Sequence, residues 1–537
     1  MTVQPSKFDD LLDVPAGNGM WVREAGVLAW KPESDFVSST DARLTDQRVP
    51  IDNSVTSAKI ADGTIVDADL AADTLTARVI AANAIGTSEL ADAAVDTAAI
   101  VDGAITAPKF AAGAVQAALG GSITQATSVA LPRQRHLKPT VWTAFQSSHG
   151  WTTGGSGVTW NLNDTTKPYA GSQSVSFLTG AGSGTSWVQS IGGSSRDLSA
   201  SDITVWVWID SGLSHFRKIT VYLTSDSLTN YVDAGVYDFS FPATPKNPIR
   251  QGEWFPLRFN YQQLAANGGT SGSSTTGSPV NTAITGMRIS VQDDGAGAVT
   301  GYIGAVTYQA RPSTFPNGVV SLTFDDTKAA AWTIAAPYMA KYGYSGTEYA
   351  IVDLVGTAGS MTLAQLQALE SQYGWEVAGH AYTVADHDTG FDALSSSALE
   401  TDLALDKLWL IQNGFRGYDH MAYPLGNLAP TDQQVGKYFA TGRTLYSNPS
   451  TEMVRPGSSL RLRSYEVLST ITSGNVTAQI DAAYAAGAWL ILCFHGIVAS
   501  GATGSDTTTT IFQAVVDYIN TKGIECAPVG DVWRSMA

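Results

Sequence analysis

Cysteine is almost absent from this chain. Of 537 residues only Cys493 and Cys526 carry a thiol, which excludes a disulfide framework and a CxxC metal knuckle. Both lie in short apolar segments that read as strands, so both are expected to be buried thiols. Charge is sparse as well. Charged residues make up 15% of the chain, and the basic ones are scarcer, 31 against 48 acidic. The resulting net charge of −17 repels phosphate backbones and anionic headgroups, so nucleic acid is not an expected partner. No basic run reverses this. No apolar stretch approaches ~18 residues, so no membrane insertion is expected. The opening MTVQPSKFDDLLDVPAGNG has neither a basic patch nor an apolar run, so it does not read as a secretory leader.

What is present is apolar material (44%), 52 glycines, and much Ser, Thr and Ala. That mixture suits β-rich, loop-rich extracellular or virion proteins. At ~150 residues per domain, the length suggests three or four domains. Residues 1–51 are mostly polar and read as an attachment segment without a core of its own. Residues 52–116 form a ten-residue repeat, from DNSVTSAKIA and DGTIVDADLA through DGAITAPKFA. One aliphatic series is Val55, Ile65, Leu75, Ile85, Val95, Ile105, Val115; the other is Ile60, Leu70, Ile80, Leu90, Ile100, Phe110. An apolar residue every fifth position fits neither the helical nor the strand period. A regular short unit with two aliphatics cannot bury them against itself and must stack on copies. A single-chain solenoid and a fibre of three chains both satisfy this, and the three-chain fibre, hence a homotrimer, is favoured. The repeats, with the preceding DARLTDQRVP, resemble the shafts of bacteriophage tail fibres and minor tail proteins. That resemblance implies other phage tail proteins as partners and a place on the virion.

Residues 117–138 lose the repeat and read as a linker. Over 139–311 short alternating runs appear, at 174–178, 203–209, 218–223, 253–259, 286–291 and 301–308, with Gly, Ser, Asn and Asp clusters between them. Such runs predict an all-β sandwich, jelly-roll-like and similar in layout to carbohydrate-binding modules. In ITVWVWI, Val205, Val207 and Ile209 share one face, and Trp206 and Trp208 the other. Two tryptophans on one face either stack sugar rings or fill the core. Segment 264–282 reads as a long polar loop.

From 317 to the end strands and helices alternate. KAAAWTIAAPYMAKYG reads as a helix, TEYAIVD as a strand, MTLAQLQALESQYG as a helix capped by Thr362, and WEVAGH as a strand. This alternation predicts a parallel, barrel-like sheet. Chemistry in such folds collects at the C-terminal ends of strands. There the sequence places Asp325 and Asp326, then His380, then AYPLG (422–426), then His495. Two carboxylates and two imidazoles from separate strand ends provide ligands for a hard-to-borderline metal, a base for water and an acid for a leaving group.

TFDD, GH, AYPLG and ILCFH resemble, in order, the motifs of the polysaccharide deacetylases of carbohydrate esterase family 4, over 317–537. The resemblance implies a distorted (β/α) barrel, a divalent transition metal with zinc as the default, and hydrolysis of N- or O-acetyl groups from a glycan. It implies Asp325 as general base, Asp326 and His380 as metal ligands, and His495 as general acid. The backbone near Tyr423 would help hold the oxyanion. The family's second histidine ligand, four positions after the first, is Val384 here. His387, seven positions on, takes its place, with Asp386 a weaker candidate. The arginine expected just before Tyr423 is also missing; Arg416 and Arg463 are substitutes for orienting Asp325. His420 is expected to be a bystander.

The expectation is therefore a phage tail enzyme that binds bacterial surface polysaccharide and deacetylates it at the host cell surface. The alternative is a receptor-binding tail protein on a degenerate deacetylase domain. A secreted cell-wall enzyme fits less well, given the opening residues and the repeat.

Overall fold

The structure, a computed structural model, describes residues 19–32 except 25, and residues 139–536 except 147–148, 181, 183–185, 239–245, 266–270, 313 and 447–449. The decapeptide shaft, the linker and most of the attachment segment lie outside the described residues. The chain divides into two compact units, Met1–Ala104 and Ile105–Ala537.

In the first unit Gly19–Glu24 and Val27–Pro32 pair as an antiparallel hairpin. Gly26, at φ 88°, takes a turn position that a Cβ would disfavour. Trp21 and Trp30 face each other across the strands, ring centroids 5.8 Å apart. The sequence reading gave this segment no secondary structure.

The second unit begins with a β-sandwich of two six-stranded antiparallel sheets. One sheet runs Ser271–Thr276, Tyr231–Asp238, Phe216–Thr224, Gly286–Asp293, Ser186–Ser190, Thr152–Gly155. The other runs Trp254–Asn260, Ser201–Ser211, Thr300–Ala310, Ser174–Thr179, Val158–Asp164, and Thr140–Thr143 also pairs with Thr300–Ala310. Alternation decides what faces inward. Val205, Val207 and Ile209 are fully buried in one cluster with Ile219, Val221 and Leu223 of the facing sheet. Each contributes ~1.5–3 kcal/mol by leaving water. Trp206 and Trp208 fall on the outer face and are half-buried, so they do not fill the core. The polar loop expected at 264–282 contains the strand Ser271–Thr276. SGSSTT has no apolar alternation, and it forms an edge strand through main-chain pairing with Tyr231–Asp238.

The remaining strands form a mostly parallel, curled sheet. Its order is Thr441–Arg443, His420–Ala422, Glu376–Ala381, Thr347–Ile351, Val319–Asp325, Ala488–Phe494, Thr451–Met453, the last pair antiparallel. Its central strands are buried from end to end, as expected of apolar runs covered on both faces. The segment Leu462–Glu466 bridges to Arg443 at one end and pairs with Leu492 and Cys493 at the other, joining the two flanks of the curl. The helix Leu363–Tyr373 begins at Thr362 with a full capping box to Gln365. The helix expected over KAAAWTIAAPYMAKYG is not uniform. It passes from a π-turn at Ala331–Ala335 to an α-turn at Ala336–Met339 and a 3₁₀ turn at Ala340–Tyr342. TVADHDTG, read as a loop, holds the short helix Val384–Thr389. Among the described residues no helix is long and apolar enough to cross a membrane.

Candidate functional site

The C-terminal ends of these parallel strands surround a cavity of about 300 Å³. Asp325, Asp326, His380, His387, Tyr423 and His495 all line it, so every catalytic or metal-ligating residue expected from the sequence meets at one place.

Asp325 ends its strand and is 2% exposed. Burial alone would raise its pKa. The buried Arg443 guanidinium, which donates to Oδ2, and His380 and His495 outweigh burial and hold the carboxyl down at about 2. Cys493 Sγ donates to the same oxygen at 3.4 Å. Oδ1 has no hydrogen-bond partner among the described residues. The carboxylate is thus ionised, clamped on one oxygen and open on the other.

The chain then turns sharply. Asp326 and Thr327 have φ of 69° and 59°, a costly conformation for residues with a Cβ, and for β-branched Thr327 most of all. Thr327 is held there by Ile351, whose N–H donates to its hydroxyl at 2.8 Å. The turn sends Asp326 toward two imidazoles: Oδ1 lies 3.6 Å from His380 Nε2 and 3.4 Å from His387 Nε2. His380 Nδ1 lies 2.9 Å from the Ala422 carbonyl. A carbonyl only accepts, so Nδ1 carries the proton and Nε2 offers its lone pair to the cavity. Burial, with His387 adding to it against the pull of Asp325, lowers the His380 pKa to about 4 and keeps the ring neutral.

One ligand atom each from Asp326, His380 and His387 lies within 4.8 Å of the others. A second group, Asp325, Cys493 and His495, meets the same criterion. The first fits a divalent metal better. Its His380 imidazole is already in the ligating tautomer, and its carboxylate faces the two imidazoles with no closer cation than Lys328 at 3.8 Å. In the second, Asp325 is clamped by Arg443, and burial pushes the Cys493 thiol well up, so it resists becoming a thiolate.

His495 follows the strand Ala488–Phe494. Its Nε2 is 3.9 Å from Asp325 Oδ2 and its Nδ1 4.0 Å from Glu466 Oε1. Across the cavity, the Tyr423 N–H donates to the Arg443 carbonyl at 2.9 Å, and the Tyr423 hydroxyl to the Leu460 carbonyl at 2.9 Å. Both groups are committed. Leu425, at φ 57° and 43% exposed, and Gly426 stand at the cavity instead. A Cβ on Gly426 would lie 2.6 Å from the Leu445 side chain, which explains the glycine of AYPLG.

The orienting arginine is neither of the two expected. Arg416 binds Asp531 and the Trp375 and Gly374 carbonyls, and Arg463 binds Glu452. Arg443, at the end of its own parallel strand, holds Asp325. Its position in TGR, one strand beyond AYPLG, was the available signal. Glu466 and Cys493 were also missed as site residues. His420 sits at the opposite end of its strand, bonded to Thr441 Oγ1 at 2.9 Å, away from the site. Cys493 is buried as expected, and Cys526 only partly so.

Residues 313–440, within the curled-sheet region, match the family model for polysaccharide deacetylases. A search of curated proteins gave no match. Among solved structures, a Streptococcus pyogenes deacetylase in complex with acetate is 25% identical over 24% of this chain and 55% of its own, with a TM-score of 0.22. A carbohydrate-binding module of the β-sandwich superfamily is 22% identical over 30% and 57%, with a TM-score of 0.21. The chitin deacetylase of Colletotrichum lindemuthianum is 14% identical over 40% and 87%, with a TM-score of 0.28. The chain thus spans little more than half the length of the first two.

Proposed function

We propose that the chain is a metal-dependent esterase or amidase that removes acetyl groups from a polysaccharide. The observation that carries this reading is the meeting of an ionised, half-free Asp325, a neutral His380 and the Asp326–His380–His387 cluster in one cavity. Asp326, His380 and His387 would hold a divalent transition metal, zinc by default for this donor set. Such an ion supplies Lewis acidity, polarising the acetyl carbonyl and lowering the pKa of water. Asp325 accepts the proton of the attacking water at Oδ1, while Arg443 fixes its other oxygen. His495 Nε2 delivers a proton to the departing sugar oxygen or nitrogen, with Glu466 behind the ring. The main chain at Leu425, rather than that of Tyr423, is assigned to the oxyanion.

The outer sandwich face supports a glycan-holding role. Trp206 stacks with Tyr169 (centroids 4.3 Å apart), and Trp208 packs edge-on to Trp254 (5.9 Å). This gives an aromatic surface suited to the C–H faces of sugar rings. On the sequence alone, the decapeptide repeat supports a phage tail location, a homotrimer, attachment to other tail proteins, and action on bacterial surface polysaccharide at the host cell.

Acetate release from acetylated oligosaccharides tests the reading. We expect release by the zinc-loaded chain that chelator abolishes and added metal restores. Glycan binding without any acetate release would instead favour a non-catalytic receptor-binding protein.

A further inference from the structure

One residue lining the catalytic cavity belongs to the sandwich. Lys246 lies in the connection between Tyr231–Asp238 and Trp254–Asn260, yet it borders the same cavity as Asp325 and His495. The residues after it are pinned to the curled-sheet domain. The Pro248 carbonyl accepts from Arg461 at 2.7 Å, Arg250 donates to the Ala429 carbonyl, and Arg250 pairs with Asp432 at 3.2 Å. Asn247 and Ile249 are buried. Lys246 itself is half-buried, and no carboxylate among the described residues pairs with it. Among the described residues it is the one ammonium or guanidinium lining the cavity. Three acids share the space, and each has another neighbour: Asp325 has Arg443, Asp326 has the two imidazoles and Lys328 at 3.8 Å, and Glu466 has His495 at 4.0 Å.

A cation with no carboxylate partner among the described residues, in the cavity of a chain with net charge −17, has one obvious use. We infer that Lys246 recognises a carboxylate on the glycan, so that the preferred substrate is an acidic, uronate-bearing acetylated polysaccharide. The inference rests on the hydrolase reading above and narrows its substrate class. A lysine ammonium is a compact point charge on a flexible stem, suited to a carboxylate whose position varies along a polymer. Its contribution falls on substrate binding and weakens with salt.

The test compares the full-length, metal-loaded parent with Lys246→Met, Lys246→Glu and Lys246→Arg. The probes are partially acetylated oligogalacturonate and partially acetylated xylo-oligosaccharide of equal length. For the acidic probe we expect KM to rise about tenfold in Lys246→Met and further in Lys246→Glu, with kcat nearly unchanged and Lys246→Arg close to the parent. The effect should shrink at high salt, and the neutral probe should not respond. Equal losses on both probes, no loss on either, or a fall in kcat on both would overturn the inference. So would a Lys246 dependence seen only with an acetylated glycerol-phosphate polymer. Calorimetric binding of the deacetylated oligomers separates the two levels of the argument. If no probe releases acetate, the hydrolase reading fails. The carboxylate site then stands if oligogalacturonate binding drops in Lys246→Met, and falls if it does not.

Discussion

At the scale of single residues, the site depends on how buried charge is compensated. Asp325 stays ionised in the interior because Arg443 is buried beside it, and a buried pair left half-broken is strongly destabilising. Asp325→Asn should therefore lower Tm by leaving Arg443 uncompensated, and by losing the base lower kcat for acetate release by about 10²–10⁴-fold while the metal ligands stay in place; a thermal melt and steady-state kinetics beside metal analysis check each part. Asp402 shows the opposite balance. It accepts the Tyr382 and Thr383 N–H groups at 2.9 and 3.3 Å, which fixes the chain just after His380. Burial nevertheless pushes its pKa up to about 8, against the pull of those bonds. Its unfolded pKa is about 3.9, so the folded chain holds a proton that the unfolded chain releases. The stability this carries is complete below about pH 4 and is lost as pH rises through about 8. Asp402→Asn keeps an acceptor for both amides and should flatten the decline of Tm across that range; an unchanged slope would contradict the assignment. Asp325, Asp326, His380 and His495 were legible because each ends a recognisable apolar strand. Arg443 was not, since its three-residue strand is too short to show a period.

At the scale of elements, the short helix Val384–Thr389 matters most. It carries His387 back over Asp326, 3.4 Å from Nε2 to Oδ1, with the His380 and His387 rings 4.9 Å apart. Six residues cannot stand as a helix alone. The Thr383 hydroxyl caps it by accepting from the Asp386 N–H at 3.0 Å, and the Asp353 carboxylate accepts from the Val384 N–H at 2.9 Å. Thr383→Ala removes a cap worth ~0.5–2 kcal/mol. It should weaken metal binding several-fold while leaving global stability nearly unchanged, as seen in metal titration beside a denaturant melt. Sequence reading missed this helix because two turns of VADHDT show no apolar stripe. It found Leu363–Tyr373 because Thr362 and Gln365 spell a capping box before an apolar run. The edge strand Ser271–Thr276 was missed for a related reason: main-chain pairing holds it, and main-chain bonds leave little trace in composition.

At the scale of the molecule, the sandwich and the curled-sheet domain share a hydrogen-bonded joint. Asn260 donates to the Ala486 carbonyl at 2.7 Å, Arg311 to the same carbonyl at 2.8 Å, Gln263 to Thr451 at 3.0 Å and Arg258 to the Arg455 carbonyl at 3.1 Å. Asn260 and Gln263 are fully buried, so parting the two domains would strand polar groups. Calorimetry should therefore show the sandwich and the curled-sheet domain melting in one transition; two resolved transitions would contradict a shared joint. Sequence alternation separated an all-β region from an α/β region, but nothing in it indicated that they share this joint or that Lys246 reaches the cavity. The hydrogen bonds of the joint link residues 175 to 226 positions apart.

The claim on which everything else rests is that Asp326, His380 and His387 hold a metal. The most direct measurement is bound transition metal per chain, made on full-length protein purified without chelator, for the parent and for His387→Ala. The account predicts about one metal per parent chain and a large loss in the variant, with acetate release falling in step. A parent that takes up no metal even with added zinc, or a variant that retains it fully, would contradict it.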